Sequence, residues 1–171
     1  GKEIYDLIVN TGKDFKLSHC GSHAMDIMRM ESGFLHWGHD ISPEENQYQA
    51  GLNFAISFKK PFNFIGKEQL QKIKDQKLDR RFAMFILKNS EPGNPLLLHE
   101  EPIYLNDNII GKTTSGNYSF NYDKNLSFGY IKSDISNEKL KDENIFIEIE
   151  KKKYQAEILL NPLKQANFKN I

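Results

Sequence analysis

Pro102-Ile103-Tyr104-Leu105-Asn106-Asp107-Asn108-Ile109-Ile110-Gly111-Lys112-Thr113-Thr114 is the stretch whose reading decides the fold class. Two short apolar runs flank Asn106-Asp107-Asn108. Asn and Asp tolerate the backbone of a tight turn, so the stretch predicts a β-hairpin. The same pattern continues on both sides. Residues 82–87 form a compact apolar run, and residues 118–122, 126–131, 145–149 and 154–160 are further strand-like runs separated by Gly, Asn, Asp and Ser. Lys151-Lys152-Lys153 lies between the last two and reads as a solvated hairpin turn rather than a nucleic-acid patch. Short strands at this spacing, with no helical pattern between them, predict an antiparallel sandwich or barrel.

Upstream the periodicity changes. Ile4, Leu7, Ile8 and Phe15 recur at helical spacing and predict an amphipathic helix over residues 3–15. Ala24, Met25, Ile27 and Met28 crowd one face of a second helix, which Gly33 can stop. Ser42-Pro43-Glu44-Glu45 reads as a turn or a short helical start capped by Ser42. Leu52, Phe54, Ile56 and Phe58 alternate with smaller or polar residues, which predicts a half-buried strand. Residues 66–77 read as a short charged helix that turns Leu70 and Ile73 inward. The charged cluster from Lys72 to Arg81 marks a boundary, so the chain divides into residues 1–79 and 80–171. The fold class is α+β.

The 171 residues suffice for one domain or two small ones, and 39% hydrophobic content can fill a core. Lys+Arg and Asp+Glu both total 23, so no global charge favours nucleic acid or an anionic membrane. No apolar run approaches membrane-spanning length, so neither nucleic acid nor membrane is expected as a partner. Cys20 is the only cysteine and cannot form an intrachain disulfide, which fits a reducing, cytoplasmic setting. The first residues are charged and helical in pattern, with no signal peptide and no initiator methionine. A start directly in a helix predicts a piece of a longer chain.

The densest chemistry lies in Arg29-Met30-Glu31-Ser32-Gly33-Phe34-Leu35-His36-Trp37-Gly38-His39-Asp40-Ile41. His36 and His39 are three apart, and His19 and His23 four apart, but neither pair has a third ligand at a diagnostic spacing, so no metal site is assigned. Cys20 beside His19 lacks the oriented base that a thiol nucleophile needs, and a small buried thiol is the better expectation. Thr113-Thr114-Ser115-Gly116-Asn117 lies between strands rather than before a helix, so it reads as a bulge or strand-end turn and not a phosphate loop. Gly116 there can take a backbone conformation closed to other residues. Arg29 ends an apolar helix face and should be partly buried, which requires a carboxylate or carbonyls beside it. Two readings stand: an internal ion pair to Glu31 or Asp40, or a clamp on a ligand carboxylate or polar ring.

These residues also carry a resemblance. Ala24-Met25-Asp26, Arg29-Met30-Glu31-Ser32-Gly33 and His36-Trp37-Gly38-His39-Asp40-Ile41 resemble the folate-binding aminomethyltransferase family, whose best-known member is the glycine cleavage T-protein. Ala50-Gly51-Leu52, Phe64-Ile65-Gly66-Lys67, Glu101-Pro102-Ile103-Tyr104, Gly111-Lys112-Thr113-Thr114-Ser115-Gly116 and Tyr154-Gln155-Ala156 follow in the family's order. The ordered set spans nearly the whole chain. The His-Trp-Gly-His-Asp-Ile version looks most like the C-terminal regions of dimethylglycine and sarcosine dehydrogenases.

The resemblance implies the end of a ferredoxin-like folate-binding region over residues 1–79, then a C-terminal antiparallel β-barrel over residues 80–171. It implies transfer of a one-carbon unit from a small amine (glycine, dimethylglycine or sarcosine) to tetrahydrofolate. FAD is implied only if a dehydrogenase domain precedes this chain, and the upstream part of the same polypeptide is an implied partner. The family arginine that contacts folate matches Arg29, and a ligand-contacting aromatic falls near Phe168. Trp37 and Phe54 either line the pocket or pack in the core. The family's catalytic aspartate and pterin-binding glutamate lie upstream of Gly1, so no catalytic residue is assigned and the isolated chain should not turn over. The alternative is a non-enzymatic folate-binding or assembly module on the same scaffold.

Overall fold

The computed structural model describes residues 1–159. Helix α1 (Lys2–Gly12) runs into a 3-10 turn, Lys13–Phe15. Helix α2 (Ser22–Glu31) ends where Gly33 takes a φ of 74°, a left-handed value that glycine adopts without strain. Helix α3 is Lys67–Ile73. Six strands follow: β1 (Arg80–Leu87), β2 (Pro102–Leu105), β3 (Asn108–Ser119), β4 (Lys124–Lys132), β5 (Ile145–Ile149) and β6 (Lys152–Leu159). Helix α4 (Asn137–Asp142) lies between β4 and β5. Among the described residues no helix is long and apolar enough to cross a membrane.

The strands close into an antiparallel barrel in the order β1-β4-β3-β2-β5-β6, and β6 returns to pair with β1 at Met84↔Leu159. Alternation builds the interior. Ile145, Ile147 and Ile149 of β5 are buried while Phe146 and Glu148 between them are half-buried. In β1, Ala83, Phe85 and Leu87 enter the barrel core, whereas Met84 joins a second cluster outside it with Leu126 and Phe128 of β4. Ile27 and Met30 of α2 complete that second cluster. One side of the barrel wall is therefore apolar on both faces, which explains the unbroken apolar run at β1. The β2–β3 hairpin turns at Asn106, with a φ of 54°, and the β5–β6 hairpin turns at Glu150 and Lys151.

Several expectations need correction. The alternating residues 52–58 form no strand: Asn53–Ala55 is a 3-10 turn. A strand needs a partner backbone, and the closed barrel presents no free edge. Phe54 is 82% exposed rather than half-buried. Cys20 is exposed, because it lies in the connection before α2 rather than on that helix's inner face. The runs at 109–114 and 118–122 belong largely to one long strand, β3, with a register shift between Thr113 and Ser115. Gly116 in this strand does not need an unusual backbone. It needs space, since a Cβ there would stand 2.4 Å from Leu97 Cγ. Helix α4 had no reading at all; Ser136 caps it by accepting from the Lys139 amide, and its Leu140 packs into the barrel core.

Candidate functional site

The site forms where α2 crosses the barrel wall. Ile27 and Met30 seat the helix on Met84, Leu126 and Phe128, and this brings Arg29 over the Phe128 ring, 5.3 Å from guanidinium carbon to centroid. After Gly33 the chain folds back on itself. The Phe34 amide bonds the Arg29 carbonyl at 2.8 Å, and the Asp40 amide bonds the His36 carbonyl at 2.8 Å. That turn, with Gly38 at φ 88°, drives the Asp40 side chain inward to 0% exposure.

Asp40 is a buried acceptor shared by three elements. Its Oδ2 accepts from Arg29 Nη1 and from the His36 amide. Its Oδ1 accepts from Thr114 Oγ1 at 2.6 Å and Ser115 Oγ at 2.8 Å. In a regular strand adjacent side chains face opposite ways, and the bulge at Thr114 lets both hydroxyls reach one carboxylate. Arg29 is held on every side. Its Nη1 also donates to the Phe34 carbonyl at 3.2 Å, Nη2 donates to Ser115 Oγ at 2.7 Å, and Nε donates to Asp26 Oδ1 at 2.8 Å. Nη2 lies 2.8 Å from that same Asp26 oxygen. No guanidinium nitrogen is left without a protein partner.

Glu31, also buried, accepts from Ser119 Oγ and from Asn121 Nδ2 and ties the end of α2 to β3 and the turn after it. Residues 42–50 are stitched to the first strand by Arg80–Glu45 at 3.0 Å and by the Phe82 amide on the Gln49 carbonyl at 2.8 Å. Gln49 Nε2 also donates to Asp79 at 2.6 Å, which, as the largest cause, holds that carboxyl below its ordinary range.

A cavity of about 630 Å³ opens beside Arg29. Asp26, Arg29 and Ser115 form one part of its wall, with His23, His36, His39 and His99 around it and Met25, Leu35 and Leu98 as apolar lining. The His36 and His39 rings stand 4.6 Å apart, and His39 is 6.4 Å from His99. His19 is elsewhere, stacked on Tyr5. Among the described residues no group of three or more His, Cys, Asp or Glu side chains is arranged to hold a metal ion.

Of the residues singled out from sequence, Arg29 lies in this wall, and of the two carboxylates weighed as its partner, Asp40 is the one that meets it. Trp37 is 66% exposed, and neither it nor Phe54 lines the cavity or packs in the core. Phe168 lies outside the described residues. Asp26 was missed as a partner of Arg29, although its position three residues earlier on the same helix signalled it. For Thr114 and Ser115 the sequence predicts only a bulge or strand-end turn, since their reach to Asp40 depends on a strand register that spacing does not reveal.

Comparison with known proteins gives the family. A family profile described as the GCVT N-terminal domain matches residues 1–60, and one described as the Glycine cleavage T-protein C-terminal barrel domain matches residues 80–164. Mitochondrial dimethylglycine dehydrogenase of Homo sapiens is 33% identical over 163 residues, which is 94% of this chain and 18% of that protein. An aminomethyltransferase of Halothermothrix orenii is 33% identical over 132 residues, 77% of this chain and 36% of that protein. The chain thus spans about a fifth of the first relative and about a third of the second. The solved glycine cleavage system aminomethyltransferase T from Bartonella henselae shares the fold, with a TM-score of 0.76 at 22% identity over 94% of this chain and 44% of that one. With both profiles matching in order along one barrel-and-helix structure, the chain belongs to the glycine cleavage T-protein family.

Proposed function

We propose that this chain is the folate-side wall and C-terminal barrel of a tetrahydrofolate-dependent one-carbon transferase, acting on a small amine such as glycine, dimethylglycine or sarcosine. The observation that carries the reading is Arg29, fixed by Asp40, Ser115 and Phe128 on the wall of the 630 Å³ cavity. The lining suits the cofactor. Met25, Leu35 and Leu98 offer apolar contact to a flat aromatic body, and four histidines beside the Arg29 charge offer donors to its carboxylates. When bound, tetrahydrofolate supplies the nitrogen that takes up the one-carbon unit. This chain's own contribution is to bind and orient it, which lowers the barrier by proximity.

On this reading residues 1–79 end the folate-binding region and residues 80–171 are the barrel region. The reacting carboxylate belongs to other parts of the full polypeptide, and the isolated chain does not turn over. A flavin would belong to a separate dehydrogenase domain. The test is folate affinity of the full-length protein with and without Arg29→Ala. Loss of one charge-assisted contact weakens binding by about ten-fold or more. Unchanged affinity in a variant that still folds refutes the role of Arg29.

A further inference from the structure

We infer that Glu101 is a positioning residue: its carboxylate holds the chain at Leu98 against β3 and so fixes where the Leu98 side chain meets a bound cofactor. The inference rests on the folate reading above and adds the residue that sets the barrel-side rim of the cavity.

Glu101 ends the connection from β1, one residue before Pro102 opens β2. Here the ladder between β2 and β3 is irregular. Thr113 donates its amide to the Glu101 carbonyl and accepts the Glu100 amide on its own carbonyl, both at 2.9 Å, so it stands opposite two residues. Glu100 takes a φ of 65° at this bulge. The Glu101 amide thereby leaves the ladder and donates to Thr113 Oγ1 at 2.9 Å. Thr113 is 0% exposed, so its hydroxyl proton needs an acceptor within the protein, and Glu101 Oε2 supplies it. The other oxygen, Oε1, accepts the Leu98 amide at 3.0 Å. One carboxylate thus joins a loop amide to a buried strand residue.

Leu98 is the residue this arrangement fixes. Leu97 before it is buried in the barrel core, which anchors the loop but does not aim the next side chain. Gly116 of β3 lets the loop lie close, since a Cβ there would stand 2.9 Å from the Leu98 carbonyl oxygen. With its amide turned to Glu101, Leu98 is 43% exposed and lines the cavity, and His99 beside it lines the cavity too. A half-exposed apolar side chain has little packing of its own to hold it. Its position depends on the backbone beneath, and a hydrogen bond to a carboxylate restrains that backbone more firmly than a neutral one. Holding the rim before the ligand arrives lowers the ordering cost of binding.

The experiment uses the full-length protein with tetrahydrofolate as the probe. Calorimetric titration of Glu101→Ala should show tetrahydrofolate bound about three- to ten-fold more weakly, as expected when a charge-assisted restraint is lost. In the same variant the Leu98 amide should exchange with deuterium about ten-fold faster. Glu101→Gln keeps an oxygen for Leu98 and a polar group for the Thr113 hydroxyl, so it should stay within about two-fold of the unaltered protein in both measurements. Leu98→Ala should itself weaken binding, and adding Glu101→Ala to it should cost no more than about two-fold again, because the carboxylate acts through that side chain. Should Glu101→Ala not fold, Glu101→Asp, whose carboxylate is one methylene short of the Leu98 amide, carries the same expectations. The inference is overturned if the Ala variant binds as the unaltered protein does, if Leu98 exchange is unchanged, or if Glu101→Gln weakens binding as much as Glu101→Ala. It is also overturned if the two effects multiply in the double variant, which marks a general structural role. If tetrahydrofolate does not bind the unaltered protein, the folate reading fails and the inference falls with it.

Discussion

In β5, Ile145, Ile147 and Ile149 enter a sealed interior, whereas in α1 Ile4, Leu7 and Ile8 all face outward and the helix buries no residue. Both segments carry an apolar stripe of the right period for their backbone. The difference is what the stripe meets. The barrel closes on itself, so every strand finds two neighbours and its inward side chains form a shared core. In residues 1–79, α2 finds an apolar seat, and much of the remaining attachment is polar. Arg29 with Asp40 and Ser115, Glu31 with Ser119, and Glu45 with Arg80 fasten this region to the barrel. Burial holds the barrel together, and a hydrogen-bonded seam positions the candidate site against it.

The largest effect should come from breaking this contrast at its two extremes. Phe85→Ala, in the fully buried core, should lower the stability of the chain by about 3–5 kcal/mol in urea unfolding. Ile8→Ala, at a position 57% exposed, should change it by no more than about 0.5 kcal/mol. Comparable losses at the two positions would mean that α1 is packed after all. The seam should lie between them. Asp40 accepts from four groups through both oxygens. Asp40→Asn keeps the shape but leaves one oxygen as acceptor and removes the charge beside Arg29. Its expected cost is about 2–4 kcal/mol. A loss below about 0.5 kcal/mol, by the same unfolding measurement, would show that the seam adds position without stability.

How much of this was legible depends on how local each determinant is. The β2–β3 hairpin could be read because Asn106 and Asp107 announce the turn and the strands beside them pair with each other. The runs at β1, β4 and β5 could be read from apolar content alone. Residues 52–58 misled because alternation states that a segment suits a strand, not that a partner backbone exists. Two runs merged into β3 because the bulge at Thr114 breaks the pattern without ending the strand. At the site, Arg29 and Asp40 are eleven positions apart within one turn of chain, close enough to propose as a pair. Ser115 reaches Arg29 from 86 positions away, through the barrel's register, and no local pattern encodes that.

The smallest effect expected along the seam is its most diagnostic one. Tyr130 of β4 is buried beneath Arg80, whose guanidinium carbon is 5.5 Å from its ring centroid. Among the described residues its hydroxyl has no hydrogen-bond partner. Burial raises its pKa well above the ordinary tyrosine range; the charge of Glu45 adds to the rise and Arg80 opposes it. A folded-state pKa above the unfolded one means that the native chain holds this proton more tightly. The resulting stability is complete below the unfolded value of about 10 and is lost as pH rises from there toward the folded value. Tyr130→Phe removes both the unpaired hydroxyl and the titration. At pH 7 it should stabilise the chain by about 1 kcal/mol, since a desolvated hydroxyl without a partner is a net cost. Between about pH 10 and 12 its stability should fall less steeply than that of the unaltered chain. Tyr104, Tyr118 and Tyr122 also have raised values but are present in both proteins, so the difference between the two curves isolates Tyr130. A loss of stability at pH 7 would mean that the hydroxyl is paired in solution, and that the seam beneath Arg80 is more completely satisfied than the barrel wall around it indicates.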